Sequence, residues 1–282
     1  MAGSFELSVR ATAGVYRVAI GPGTFEAALR EGADLVLADR FLAPRLAGCP
    51  HPIVWIDAAE ERKNLSYAEE LILACREAGA RRGTRLLAAG GGVVQDLVTL
   101  VASLYMRGLP WSFAPTTLMS MADSCIGGKS SINAGGVKNL VGNIYPPAAV
   151  AVDPAFLPTL SREAIVAGLA EAAKICYCRS AAAFEEYLVR YKAFEAGDAT
   201  PLLFHVLDSK RWFVEIDEFD RKERRLLNFG HTFGHALEAA TVTGRAMATP
   251  STSWMPRWRS PGPARSVLFT WPPSTSSSRL SR

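Results

Sequence analysis

The sharpest chemical signal in this sequence is a pair of histidines four residues apart, in the run Asn228, Phe229, Gly230, His231, Thr232, Phe233, Gly234, His235. On a helix that spacing puts both imidazoles on one face. They can chelate one metal ion, or place one ring on a metal and the other on a substrate. A pair of hydrogen-bonded structural histidines is the plainer alternative. The chain holds only four histidines, and a glycine precedes each member of this pair, which favours the metal or catalytic role. Arg224, seven residues before His231, falls two helical turns back on the same side.

A second concentration of polar chemistry runs from Asp123 through Gly127, Gly128, Lys129 and Asn133 to Lys138 and Asn139. Lysines and asparagines on a glycine-containing loop suit a phosphate or carboxylate ligand; a solvated loop is the bland alternative. Arg107, at the end of the preceding helix, can join the same anion site or simply cap its helix. Glu171 and Lys174 lie three apart, hence on one helical face. A surface ion pair is the usual outcome, but the surrounding helix is mostly Ala, Leu, Ile and Val, so the pair is expected to face a polar cleft.

Anions are also bound by backbone amides at helix N-termini, and glycine allows a phosphate to come close. Gly90, Gly91 and Gly92 stand between an expected strand and an expected helix, the context a dinucleotide pyrophosphate needs, although a plain turn has the same pattern. Pro115, Thr116 and Thr117 follow the next strand, where the hydroxyls suit the rim of the same cleft or an N-cap.

The elements that must position these groups follow from periodicity. Short apolar runs at Tyr16–Ile20, Asp34–Ala38, Ile53–Ile56, Arg85–Ala89 and Trp111–Ala114 read as strands. Helical spacing occupies Phe25–Arg30, Tyr67–Ala78 and Val93–Tyr105. Alternation of this kind predicts a parallel sheet of Rossmann-like character. From Pro154 onward the pattern is helix after helix: Ser161–Cys178, with Ser161 as N-cap, then Ala181–Tyr191, Pro201–Val214 and Glu223–Ala240. The expected architecture is an α/β N-terminal Rossmann-like domain (1–152) followed by an α-helical domain (153–241), with residues 242–282 as a separate tail.

Composition narrows the function classes. Five cysteines without a C-x-x-C pair indicate neither a zinc knot nor a disulfide framework, so a reduced, cytoplasmic protein is expected. No apolar run is long enough for a membrane helix, and the start carries no signal-peptide pattern. The net charge of +4 arises in residues 242–282, which hold six Arg and no Lys, Asp or Glu; residues 1–241 carry 25 basic and 27 acidic groups. The body is thus slightly acidic and is not expected to bind nucleic acid. The tail, with nine Ser, six Pro and three Trp, has the composition of a disordered basic extension or of a shifted reading frame in a GC-rich gene. Three tryptophans and a helical pattern that stops mid-domain favour the shift.

Taken in order, Gly90 to Val94, Tyr105 to Gly108, Pro115 to Thr117, Asp123 to Lys129, Lys138 with Asn139, Gly168 to Lys174, and Leu227 to His235 closely resemble the 3-dehydroquinate synthase family. The resemblance covers roughly residues 15–241. It implies a sugar-phosphate cyclase whose fold is related to that of iron-dependent alcohol and glycerol dehydrogenases. The implied substrate is a small phosphorylated keto sugar acid. The implied reaction is transient oxidation of a ring hydroxyl, phosphate elimination, return of the hydride and aldol closure. NAD+ is then a catalytic rather than stoichiometric cofactor, and a divalent metal, zinc or cobalt, polarises the hydroxyl. A homodimer is implied as well.

Carried over onto this chain, the resemblance makes Glu171 and His231 metal ligands. His235, Lys129, Asn139, Arg107, Lys174, Lys210, Asn228 and Arg224 become substrate contacts, and Asp123 is shared between nicotinamide and substrate. Gly91, Gly92, Asp96, Thr116, Thr117 and Lys138 become cofactor contacts, with Glu60 and Lys63 as the adenosine-side pair. Three departures stand out. Gln95 and Thr99 replace glycines of the typical pattern, which could narrow the cofactor cleft or mark a divergent subfamily. Ser130, Ser131 and Ile132 replace a threonine-containing run. No histidine follows His235, although the family's third metal ligand is a histidine just beyond this helix. A chain of this sequence is therefore expected to hold zinc poorly and to turn over slowly.

Overall fold

The computed structural model describes residues 3–230. The histidines of the opening motif, His231 and His235, and the tail from 242 lie outside the described residues. Seven strands form one sheet in the order β1-β2-β9-β6-β5-β3-β4. The inner strands β3 (Leu35–Asp39) and β5 (Leu86–Gly90) are apolar and buried almost throughout, as expected of parallel strands covered on both faces. β4 (Ile53–Ile56), β6 (Trp111–Pro115) and β9 (Ala149–Val152) join them in parallel. At the other side β1 (Phe5–Ala11) and β2 (Gly14–Ile20) make an antiparallel hairpin, and β2 pairs with β9 in parallel. Strand β1 alternates buried and exposed residues along Phe5, Glu6, Leu7, Ser8 and Val9, a half-buried pattern. β9 is too short an apolar run for periodicity to type.

Helices α1 (Thr24–Glu31), α2 (Leu65–Glu77) and α3 (Gly92–Leu104) connect the strands. Helices α4 (Arg162–Arg179), α5 (Ala181–Glu195) and α6 (Thr200–Ile216) follow the sheet. This is the expected α/β sheet followed by helices. Two caps start α4 and α5: Ser161 Oγ accepts from Ala164 N at 3.2 Å and Ser180 Oγ from Ala183 N at 3.1 Å. A core separate from that of the sheet forms where Ile175 and Cys176 of α4 meet Leu202, Val206 and Phe213 of α6. Among the described residues no helix is long and apolar enough to cross a membrane, and all five cysteines are free.

Two expectations need correction. Residues 129–144, read as a loop, form an antiparallel hairpin of β7 (Lys129–Ala134) and β8 (Val137–Ile144). Gly135 and Gly136, at φ 58° and 79°, supply its two-residue turn. The hairpin escapes a periodicity argument because Ser130, Ser131 and Asn133 are polar, so no apolar alternation marks the strand. Likewise Glu223–Asn228 is a 3-10 turn rather than the first turns of an α-helix. The chain leaves helical geometry at Phe229 (ψ 128°) and Gly230 (φ 82°), so Arg224 does not share one continuous helix with His231.

Candidate active site

The glycine run lies where the sheet topology predicts. β5 ends at Gly90, α3 begins at Gly92, and Thr116 N donates to Gly90 O at 2.9 Å across the adjoining end of β6. Close packing fixes the run: a Cβ on Gly90 would stand 2.5 Å from Val94 Cγ2, and one on Gly91 3.1 Å from Thr117 Cγ2. A Cβ on Gly92 would meet nothing within 4 Å, so the first residue of α3 borders open space on that side. Such a cradle fits a pyrophosphate at the carboxyl ends of parallel strands. Thr117 Oγ1 also accepts from Ser120 N at 3.2 Å, a capping bond of the kind its position after a strand suggests.

Beside this loop a cavity of about 560 Å³ is lined by Asp96, Asp123, Lys129, Asn139, Glu171, Lys210, Arg224 and Asn228 together with Ser130, Ser131, Asn143 and Asp220. Six segments contribute: α3, the Ser120–Ser124 turn, the β7–β8 hairpin, helix α4, helix α6 and the stretch after α6. The burial of its charges is compensated locally. Lys210 Nζ stands 2.8 Å from Asp123 Oδ1 and also donates to the Asp123 carbonyl. Burial alone would raise the Asp123 carboxyl, but Lys210, with Lys174 and Arg224 nearby, holds it below its ordinary value. Glu171, 2.6 Å from Lys174 Nζ, is raised by burial and by the Asp123 charge, which Lys174 offsets only in part.

Arg224 is 3% exposed, and its guanidinium donates to the carbonyls of Gly127 and Glu218. Gly127, at φ 96°, must be glycine here, because a Cβ would stand 2.2 Å from Arg224 Nη2. Lys129 is paired with Asp220; burial lowers the lysine's proton affinity and the Asp220 carboxylate pulls it back up. Asp220 was not foreseen. The acidic run Asp217, Glu218, Asp220 was its only signal, and nothing in that run says which basic group it meets.

On the hairpin side, Lys63 Nζ lies 3.1 Å from Asp96 Oδ2, 2.8 Å from Asn139 Oδ1 and 3.5 Å from Glu60 Oε1. The Glu60/Lys63 pair therefore reaches Asp96 and Asn139. Burial pushes the Asp96 carboxyl up to about 6 despite Lys63 and the Ser131 amide. Arg107 and Lys138 are exposed and do not line the cavity. Gln95 and Thr99 do not narrow the glycine cradle. Gln95 donates to Lys129 O at 3.2 Å and Thr99 Oγ1 back to Gln95 O at 2.7 Å, so Gln95 reaches the hairpin and Thr99 bonds within its own helix.

No three His, Cys, Asp or Glu side chains gather among the described residues as a ready metal site. Glu171 is the one expected ligand that is described. Its raised proton affinity beside Asp123 is what a carboxylate shows when a positive charge would relieve it, so the donor fits a divalent cation.

Residues 53–167 match the sequence family described as 3-dehydroquinate synthase N-terminal, and residues 168–249 match 3-dehydroquinate synthase C-terminal. The chain belongs to the 3-dehydroquinate synthase family. A 3-dehydroquinate synthase from Solibacter usitatus is 37% identical over 217 residues, 76% of this chain and 60% of that protein. A 2-epi-valiolone synthase from Stigmatella aurantiaca is 34% identical over 257 residues, covering 80% of this chain and 63% of that one. The chain thus spans about three fifths of the length of these relatives. Among solved structures, 2-epi-5-epi-valiolone synthase from Streptomyces hygroscopicus subsp. jinggangensis, with NAD+ and Zn2+ bound, superposes with a TM-score of 0.71. It is 29% identical, and the match covers 82% of this chain and 70% of that one. This family's relatives are sugar-phosphate cyclases, and the sheet-then-helices architecture of the chain is theirs.

Proposed function

We propose that this chain carries the cofactor and substrate platform of a 3-dehydroquinate synthase-type, phosphate-eliminating cyclase acting on a seven-carbon phosphorylated keto acid. The observation that carries the reading is the cavity wall of Lys129, Lys210 and Arg224 around Asp123 and Glu171, in a cavity that Asp96, one helical turn after Gly92 on α3, also lines. Three fixed cations suit a substrate with both a phosphate and a carboxylate. When bound, NAD+ would supply a reversible hydride acceptor and a divalent metal a Lewis acid. Gly91, Gly92, Thr116, Thr117, Asp96, Lys138 and the Glu60/Lys63 pair would hold the dinucleotide. Glu171 and His231 would hold zinc or cobalt. Lys129, Lys210, Arg224, Asn139, Asn228, Lys174, Arg107 and His235 would hold substrate, with Asp123 between substrate and nicotinamide. In this reading residues 1–152 bind cofactor, 153–241 bind metal and substrate, and the assembled protein is a homodimer.

Within the chain, Lys210 keeps Asp123 ionised, so Asp123 can orient a hydroxyl without competing for its proton. Glu171, raised by burial and by Asp123, gains most from a neighbouring cation. The test is release of inorganic phosphate from the seven-carbon substrate with NAD+ and Zn2+ or Co2+ present. No net NADH should accumulate; sustained NADH formation would make the protein a dehydrogenase instead. With no histidine after His235, slow turnover and weak zinc retention are expected of the 282-residue chain. The similarity to 2-epi-valiolone synthase supports a second reading, a cyclase for a sugar phosphate that lacks the carboxylate. Assaying both substrates side by side separates the two. NAD+ binding without phosphate release from either would leave a non-catalytic nucleotide-binding protein.

A further inference from the structure

We infer that Gln95 is a positioning residue that sets Lys129 in the anion site by pinning the backbone of β7 to α3. Two successive residues of α3 hold that strand. Gln95 Nε2 donates to Lys129 O at 3.2 Å, and Asp96 Oδ1 accepts from Ser131 N at 3.0 Å. Asp96 lines the cavity and Gln95 does not, so Gln95 acts from behind, through the residue whose carbonyl it holds. The amide orientation follows from chemistry, because a carbonyl can only accept and the opposite orientation would set two oxygens against each other.

Stability does not explain this glutamine. It is 2% exposed, and its Oε1 is buried with no hydrogen-bond partner among the described residues. A buried amide with one half unsatisfied costs more than an apolar side chain of the same shape. The amide is therefore placed for its donor, and that donor reaches one atom, the carbonyl of the cavity lysine. The same helix begins at Gly92, the edge of the glycine cradle. Gln95 and Asp96 thus tie the distance between cradle and Lys129 to the rigid axis of α3. Gln95 fixes the backbone from which the Lys129 side chain extends, and Asp220 holds its ammonium.

The inference rests on the anion-site reading above, and Gln95→Met tests it. Methionine keeps the length and bulk and removes both the donor and the orphan oxygen. The expected result is a dissociation constant for inorganic phosphate raised about 3- to 10-fold, the size of one hydrogen bond. NAD+ affinity should be unchanged and thermal stability equal or higher. Amide hydrogen exchange in residues 129–134 should be faster, with none added in α3. Thr99→Ser, which trims a buried methyl on the same helix and keeps the hydroxyl that bonds Gln95 O, should lower stability and leave phosphate affinity alone. Phosphate affinity of Gln95→Met equal to wild type would overturn the inference. Were wild type itself to bind no phosphate, the anion-site reading would fall. The exchange data would then decide the clamp: faster exchange in β7 upholds it and unchanged exchange overturns it.

Discussion

Two carboxylates line the cavity with opposite shifts in proton affinity. Asp96, on the α3 and hairpin wall, has its proton affinity raised to about 6. Asp123, on the wall made with α4 and α6, is held below its ordinary value. Both are partly buried, with side chains 19% and 31% exposed, so burial is not what separates them. Asp96 has one lysine, Lys63, which also serves Glu60 and Asn139, and the Glu60 charge works against it. Asp123 has Lys210 to itself at 2.8 Å, with Lys174 and Arg224 behind it. The cations near each aspartate are what separate these two. Asp123 is kept charged, whereas Asp96 can take up a proton as the pH falls toward 6.

That contrast breaks most severely at Lys210. Lys210→Met takes from the partly buried Asp123 its nearest counter-charge and should cost about 2–3 kcal/mol of stability, read as a lower urea midpoint at pH 7. Unchanged stability would mean that the wall is not held by this pair. Gly127→Ala comes next. It forces a side chain onto a φ of 96° and into Arg224, and about 1–3 kcal/mol should be lost in thermal unfolding, with weaker phosphate binding as the guanidinium shifts.

Lys129→Ala sharpens the comparison from the ligand side. The Lys129–Asp220 pair is partly exposed and contributes little to folding. Stability should stay nearly level while phosphate affinity, measured by titration calorimetry, drops about 10-fold. The smallest effect is in the pH dependence, where the two acids have opposite signs. Asp96 binds its proton more tightly folded than unfolded, so its contribution opposes folding progressively from pH 3.8 to about 6. Asp123 binds its proton less tightly when folded, so its contribution is present above pH 3.8 and is lost as pH falls below that. Asp96→Asn should therefore remove a downward slope of stability between pH 4 and 6 and leave the acid limb untouched. An unchanged slope in that window would place the Asp96 carboxyl at an ordinary value.

Much of the sheet was legible because its signals are local. Leu86 to Ala89 is a continuous apolar run that only a strand covered on both faces accommodates, and Gly90 to Gly92 marks the turn that follows. The N-cap at Ser161 was readable for the same reason: its hydroxyl bonds an amide three residues away. The residue types of the site were also legible, since Lys129, Asn139, Glu171 and Arg224 were singled out from sequence and all four line one cavity. The β7–β8 hairpin was not, because Ser130, Ser131 and Asn133 leave its first strand without an apolar period.

The sequence by itself thus determined which groups are available and on which kind of element they ride, because hydrophobic period, glycine turns and caps act over a few residues. Tertiary structure decided which charge meets which. Lys210 and Asp123 are 87 residues apart and Lys129 and Asp220 are 91 apart, distances over which no spacing rule operates. It decided, too, that two partly buried aspartates in one cavity hold their protons differently, because electrostatic state depends on the charges and solvent within a few ångströms, and those neighbours are gathered only when the chain folds.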